Sequence, residues 1–194
     1  MNTLLQKALQ FVYSENPGGG KIIFLGDYID RGPDNKGVIE TVMNPPDNWE
    51  FICLKGNHED MFVYNYDSGQ EYYDRKVVKE IHSDLPKIVE WMRNLKVNHI
   101  EGDNVFAHAY YDDTFPQNMQ SDVTAMWLRV PDAQMYTSKD NRLHLTHGHT
   151  PRKHGPTRAI NRTNLDCGAV FHGRYVIGEY REGVKGPVAF HEFK

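Results

Sequence analysis

Asp27, Asp30 and Arg31 fall within five residues, inside Gly26-Asp27-Tyr28-Ile29-Asp30-Arg31-Gly32, directly after the apolar run Ile22–Leu25. Carboxylate oxygens coordinate divalent cations, and the planar fork of a guanidinium matches phosphoryl oxygens. Two aspartates and an arginine at a strand tip therefore suit a metal ion beside a phosphate. Taken alone, the three residues fit a surface turn with an ion pair equally well. Three further stretches repeat the design of a strand-like run followed by a glycine or histidine and then ligand-type side chains. They are Gly56-Asn57-His58-Glu59, His108-Ala109 and Gly148-His149-Thr150-Pro151. Asp, Asn and His together form a mixed oxygen–nitrogen donor set, which suits Mn²⁺, Fe or Zn²⁺ better than Ca²⁺ or a thiolate site. A carboxylate can bridge two such ions held roughly 3.5–4 Å apart.

Positioning these groups requires strands that end together. In open α/β sheets, sites form at the carboxyl ends of strands, and glycines let the backbone turn sharply there. Leu4, Leu5, Ala8, Leu9 and Val12 share one helical stripe, which Pro17-Gly18-Gly19-Gly20 must end. Ile22–Leu25 and Glu50–Leu54 read as buried strands, with a helix capped by Asn35 and running to Met43 between them. Helix–strand–helix–strand order implies a parallel pair. Residues 58–95 read as mostly helical, with a restart at Leu85-Pro86. Val97–Ile100 and Val105–Ala109 read as a hairpin across Glu101-Gly102-Asp103-Asn104. Strands are expected over Arg142–Thr146, Ala159–Leu165, Tyr175–Glu179 and Val188–Phe193, so the second half is expected to be mainly antiparallel. No repeat or linker divides the chain, which predicts one domain over residues 1–194.

Composition bounds the function. A chain of 194 residues is long enough to bury a core, and a net charge of −4 argues against nucleic acid as a partner. No apolar run approaches a membrane span, and Met1–Gln10 lacks a signal-peptide pattern. Two cysteines, Cys53 and Cys167, without a CxxC pattern fit buried thiols in a reducing, cytoplasmic setting. Of the ten histidines, His82, His99, His144, His154, His172 and His191 lie outside the four stretches and read as packing or solvated residues. His147 precedes His149 by two, so strand alternation would aim both to one face. Asp166 reads equally as a partner of the metal ligands or as a turn aspartate.

GDYIDRG, GNHE, HA and GHTP, in that order, resemble the calcineurin-like metallophosphoesterases, and more narrowly the bacterial and phage branch of the phosphoprotein phosphatases. The resemblance runs from about Leu4 to the stretch Leu165–Val170. It implies an α/β fold, a β-sandwich of mixed sheets flanked by helices. It implies two divalent metal ions, with Mn preferred over Fe or Zn. Asp27 would bridge them, and Asn57, His108 and His149 would complete the second site, with Asn57 also reaching the substrate phosphate. His58 would be the general acid for the leaving alkoxide, and Asp30 would orient it. Arg31 would hold phosphate oxygens, and Trp127-Leu128-Arg129 resembles the family's W-x-R element, making Arg129 a second clamp. Water activated by the metals would attack phosphorus directly, with no phosphoenzyme. His147 would then be a supporting residue rather than a ligand.

Two departures bear on these expectations. Tyr110 stands where the family's HAG motif has glycine. The family's opening strand and GD-x-HG motif have no counterpart, because Met1-Asn2-Thr3-Leu4 resembles the segment that follows them. The first metal site is therefore expected to be incomplete, keeping only Asp27, and the first strand to be missing. The implied function is a phosphomonoesterase, most naturally a Ser/Thr protein phosphatase. The alternatives are hydrolysis of a dinucleoside polyphosphate and a binding module with an incomplete metal centre.

Overall fold

The computed structural model describes residues 2–70, 75–139 and 141–194. Residues 71–74 of the helical stretch expected over 58–95 lie outside the described residues. The chain divides into two compact units, Met1–Lys96 and Val97–Lys194.

In the first unit, β1 (Gly20–Phe24) and β2 (Trp49–Cys53) pair in parallel, with Ile22 opposite Phe51 and Phe24 opposite Cys53. The helices are α1 (Asn2–Glu15), α2 (Asn35–Met43), α3 (Asn57–Asp67), α4 (Arg75–Ile81) and α5 (Leu85–Arg93). α1 stops before the Pro-Gly run, and α5 restarts with Pro86 in its first turn, where a missing N–H costs nothing. The cap of α2 is Asp34, whose side chain accepts the Gly37 N–H at 2.8 Å. Asn35 is instead the first helical residue, and both its backbone N–H and its side-chain amide donate to Glu80. A core of Ile39, Phe62, Val77, Ile81, Val89 and Met92 also buries Ile29, which anchors the turn between Asp27 and Asp30.

The second unit holds a five-stranded sheet in the order β3-β4-β5-β7-β6, built from Asn98–Glu101, Asn104–Ala107, His144–His147, Thr157–Ala159 and Arg162–Asn164 in chain order. The expected β3–β4 hairpin is present. The two central pairings, β4–β5 and β5–β7, are parallel, whereas β3–β4, β6–β7 and β8–β9 are antiparallel, so the second half is mainly antiparallel as expected but around a parallel centre. The connection over residues 108–143 contains α6 (Asp122–Trp127) and is long enough for the crossover that parallel pairing needs. The single strand expected over Ala159–Leu165 is split: Asn161 takes φ +56°, and the chain folds back so that β6 and β7 run antiparallel. α7 (Ala169–His172) precedes the hairpin β8 (Tyr175–Glu179) and β9 (Ala189–Phe193). The core gathers Val105, Ala107, Tyr111, Tyr136, Leu143 and Leu145. Among the described residues no helix is long and apolar enough to cross a membrane.

Candidate active site

The ends of β1 and β2 build the first cluster. Gly26 (φ +95°), Asp27 (+62°), Asp30 (+70°) and Arg31 (+55°) all take left-handed backbone. For non-glycine residues that geometry costs about 1–3 kcal/mol each, and it persists only where neighbours impose it. Glu59, fully buried in the first turn of α3, imposes much of it. Its carboxylate accepts N–H groups from Asp27 (2.9 Å), Tyr28 (2.7 Å), Ile29 (3.3 Å) and Gly56 (2.9 Å). Burial, and after it the Asp27 carboxylate, push Glu59 up to about 7, while these N–H donors pull it back. Gly56 has no room for a side chain: a Cβ there would stand 2.2 Å from Asp27 Oδ1 and 2.5 Å from Asp27 N.

His58 lies between the two aspartates. Its Nδ1 is 2.7 Å from Asp30 Oδ2, its Nε2 is 3.9 Å from Asp27 Oδ2, and its backbone N–H donates to Asp27 Oδ1 at 3.3 Å. Since a carboxylate only accepts, Nδ1 carries a proton toward Asp30 and the ring orientation is fixed. His58 and Asn57 are buried, Asp27 and Asp30 are half-buried, and Arg31 is exposed. The expected pairing of Asp30 with His58 is thus present.

The second cluster gathers where β4 and β5 end. His108 Nε2 and His149 Nδ1 are 3.2 Å apart, and the Gly148 N–H donates to the His108 carbonyl at 2.9 Å. His149 Nε2 lies 3.2 Å from the Trp127 carbonyl, so Nε2 bears the proton and Nδ1 turns its lone pair toward His108. β5 ends at His147 and His149 takes φ +66°, so strand alternation does not relate the two. His147 Nδ1 donates to the Gly148 carbonyl at 3.0 Å, its Nε2 is buried without a partner, and burial drops its pKa to about 3. Arg129 is exposed and makes no hydrogen bond or ion pair with the described residues. Asp166 Oδ1 accepts the Gly168 N–H at 2.9 Å, the geometry of a turn aspartate. Tyr110 packs edge-on against Tyr136 with ring centres 5.7 Å apart.

Two residues missed at the level of sequence emerge here. Glu59 had a visible signal, a carboxylate three residues after the helix cap, the spacing of a capping box. Arg162, 2% exposed on β7, had none, because a polar Arg-Thr-Asn triplet gives no sign of burial. Cys53 is half-buried and burial pushes its thiol up to about 12, as fits an inert side chain.

Among the described residues, no group of three or more His, Cys, Asp and Glu side chains is placed to hold a metal ion. The donor chemistry of each cluster nonetheless fits one. In the first, the Asp27 and Asp30 carboxylates flank the His58 imidazole. In the second, the His149 lone pair meets His108 across 3.2 Å.

Residues 3–174 match the family described as calcineurin-like phosphoesterase. The bis(5'-nucleosyl)-tetraphosphatase PrpE (asymmetrical) of Anoxybacillus flavithermus is 28% identical over 213 aligned positions, covering 92% of this chain and 84% of that protein. A symmetrical bis(5'-nucleosyl)-tetraphosphatase of Nitrosospira multiformis is 29% identical over 46% of this chain and 32% of its own length. In fold, the chain is similar to a cold-active protein-tyrosine phosphatase of a psychrophilic Shewanella species, with TM-score 0.58, 14% identity and 80% of this chain covered. The chain spans 64% of that phosphatase's length. Mixed sheets flanked by helices are the architecture the sequence motifs implied, and with most of its length matched the chain belongs to the calcineurin-like phosphoesterases, a hydrolase family whose members use divalent metal ions.

Proposed function

We propose that residues 1–194 form a single metallophosphoesterase domain that hydrolyses phosphomonoesters, with phosphoserine or phosphothreonine as the substrate. The observation that carries this reading is the Asp30–His58 contact at 2.7 Å, which fixes a buried imidazole beside Asp27. Asp27 and Asn57 are the metal-ligand candidates of the first unit, and His108 and His149 those of the second. Bound divalent ions, Mn²⁺ by preference, would supply charge neutralisation and an activated water. Asp30 holds the His58 Nδ1 proton and stabilises the imidazolium. Nε2, on the Asp27 side of the ring, then delivers its proton to the departing alkoxide. Arg31 and Arg129, both exposed, are proposed to take phosphoryl oxygens through their planar forks.

A second reading, hydrolysis of a dinucleoside polyphosphate, is favoured by the similarity to the PrpE tetraphosphatase across 92% of the chain. The test is hydrolysis of p-nitrophenyl phosphate with added Mn²⁺, followed by a phosphopeptide and diadenosine tetraphosphate compared at equal concentration. Asp27→Asn should abolish turnover on whichever substrate is preferred. Unchanged turnover in that variant would remove Asp27 from the chemistry. Preference for the tetraphosphate would replace the first reading by the second.

A further inference from the structure

The loop carrying Arg129 is pinned on both sides. Before it, the Trp127 carbonyl takes the His149 Nε2 proton at 3.2 Å. After it, Arg162 Nη2 donates to the carbonyls of Pro131 (2.7 Å) and Asp132 (3.0 Å). Arg152 Nε adds a contact to the Asp132 carboxylate, 2.7 and 2.6 Å from its two oxygens. The Arg129 side chain itself is exposed and unbonded among the described residues. Both arginine tethers start from elements beside His149. Arg162 lies on β7, paired with β5, and Arg152 follows His149 by three residues.

Arg162 is an unusual choice for its place. It is 2% exposed, no carboxylate bonds it, and its Nη1 has no partner. Burial lowers its pKa. A buried cation whose hydrogen bonds go to carbonyl oxygens, with the Asp132 carboxylate acting on it only at longer range, is a poor way to stabilise a fold, and an apolar side chain of similar volume often does that better. What an apolar side chain cannot do is grip two successive carbonyls of a loop in which Pro131 has no N–H to bond with.

We infer that Arg162, assisted by Arg152, is a positioning residue that holds Val130–Asp132 so that the Arg129 guanidinium is presented in a fixed relation to His149. The inference rests on the reading of Arg129 as a phosphate clamp. Its effect on substrate passes entirely through Arg129, so the two residues must be coupled.

The test is a double-mutant cycle on the full chain with Mn²⁺ and p-nitrophenyl phosphate, read alongside amide hydrogen exchange. Arg162→Met should raise KM at least about fivefold, and Arg162→Lys should recover part of the loss. In an Arg129→Ala background, Arg162→Met should change KM by less than about 1.5-fold, because the group it positions is gone. Exchange over residues 128–134 should speed up in Arg162→Met while residues 144–147 stay protected. If Arg162→Met does not fold, Arg152→Met removes the more exposed tether and should give a smaller KM increase with the same dependence on Arg129. Equal KM penalties with and without Arg129, or an unchanged loop exchange rate, overturn the inference. If Arg129→Ala alone leaves KM unaltered, the clamp reading fails and this inference fails with it.

Discussion

Gly56→Ala isolates the close approach at the strand tips. Gly56 has φ −96°, which alanine adopts freely, so backbone strain contributes nothing. The added Cβ would meet Asp27 Oδ1 at 2.2 Å, Asp27 N at 2.5 Å and Glu59 Oε2 at 2.9 Å. Overpacking of this kind costs about 1–3 kcal/mol. Relief requires the Asp27 turn to move away, which stretches the 2.9 Å bonds from the Asp27 and Gly56 N–H groups to Glu59. Losing one bond to a buried carboxylate adds about 1.5–3 kcal/mol. The sum, about 2.5–6 kcal/mol, should lower the urea midpoint by about 1–3 M for a slope of about 2 kcal/mol/M. Gly18→Ala is the control, since nothing lies within 4 Å of a Cβ there, and it should stay within about 0.5 kcal/mol of the parent chain. Midpoints followed by far-ultraviolet circular dichroism decide the matter. Equal midpoints for the two variants would mean that the strand tips are not packed against Asp27 as described.

Two further outcomes follow from the same geometry. With His58 in its proposed role of acid rather than ligand, His58→Ala should cut turnover about 10²-fold or more while bound metal, measured by elemental analysis, stays within twofold; loss of metal with turnover per bound metal preserved would reverse that role. His144, buried and 2.9 Å from Thr163 Oγ1, is depressed to about 4 by burial, then by Arg158 and Lys185. Its ordinary value is near 6.5, so the unfolded chain binds the extra proton between those values. The stabilisation is complete above about pH 6.5 and is lost as pH falls toward 4, by at most about 3 kcal/mol. His144→Gln should therefore flatten its share of the pH dependence of the urea midpoint between pH 6.5 and 4.5, leaving the contribution of His147 and the opposing one of Glu59. Parallel slopes in the two proteins would contradict the assignment.

The readable parts of this chain were those where chemistry is local. Asp30 and His58 sit in two short motifs, and the structure joins them by one contact. The helices α1 and α2 ended where Pro and Gly ended them, and α5 began at Leu85-Pro86. Asp34 rather than Asn35 capped α2 because a cap lies outside the first helical residue, and adjacent Asp and Asn offer the same local signal. Pairing partners were less legible. A strand pattern reports which face is buried but not which neighbour lies alongside, so the parallel centre of the second sheet was invisible. Alternation failed between His147 and His149 because Gly148 and a left-handed His149 end the strand between them. Glu59 and Arg162 show the same limit from another side. A charged residue reads as exposed until its backbone partners are seen.

The parallel pairing of β4 with β5 also sets an order of assembly. The β3–β4 hairpin closes over Gly102 and Asp103 alone, whereas β5 can join β4 only after residues 108–143 have been looped out. Closing the longer loop costs about 2–3 kcal/mol more entropy, which makes it the later event. His108 sits at one mouth of that loop and His149 lies just beyond the other. Their meeting is therefore a late step in folding, and a nascent chain has no second histidine cluster until β5 has been synthesised and docked.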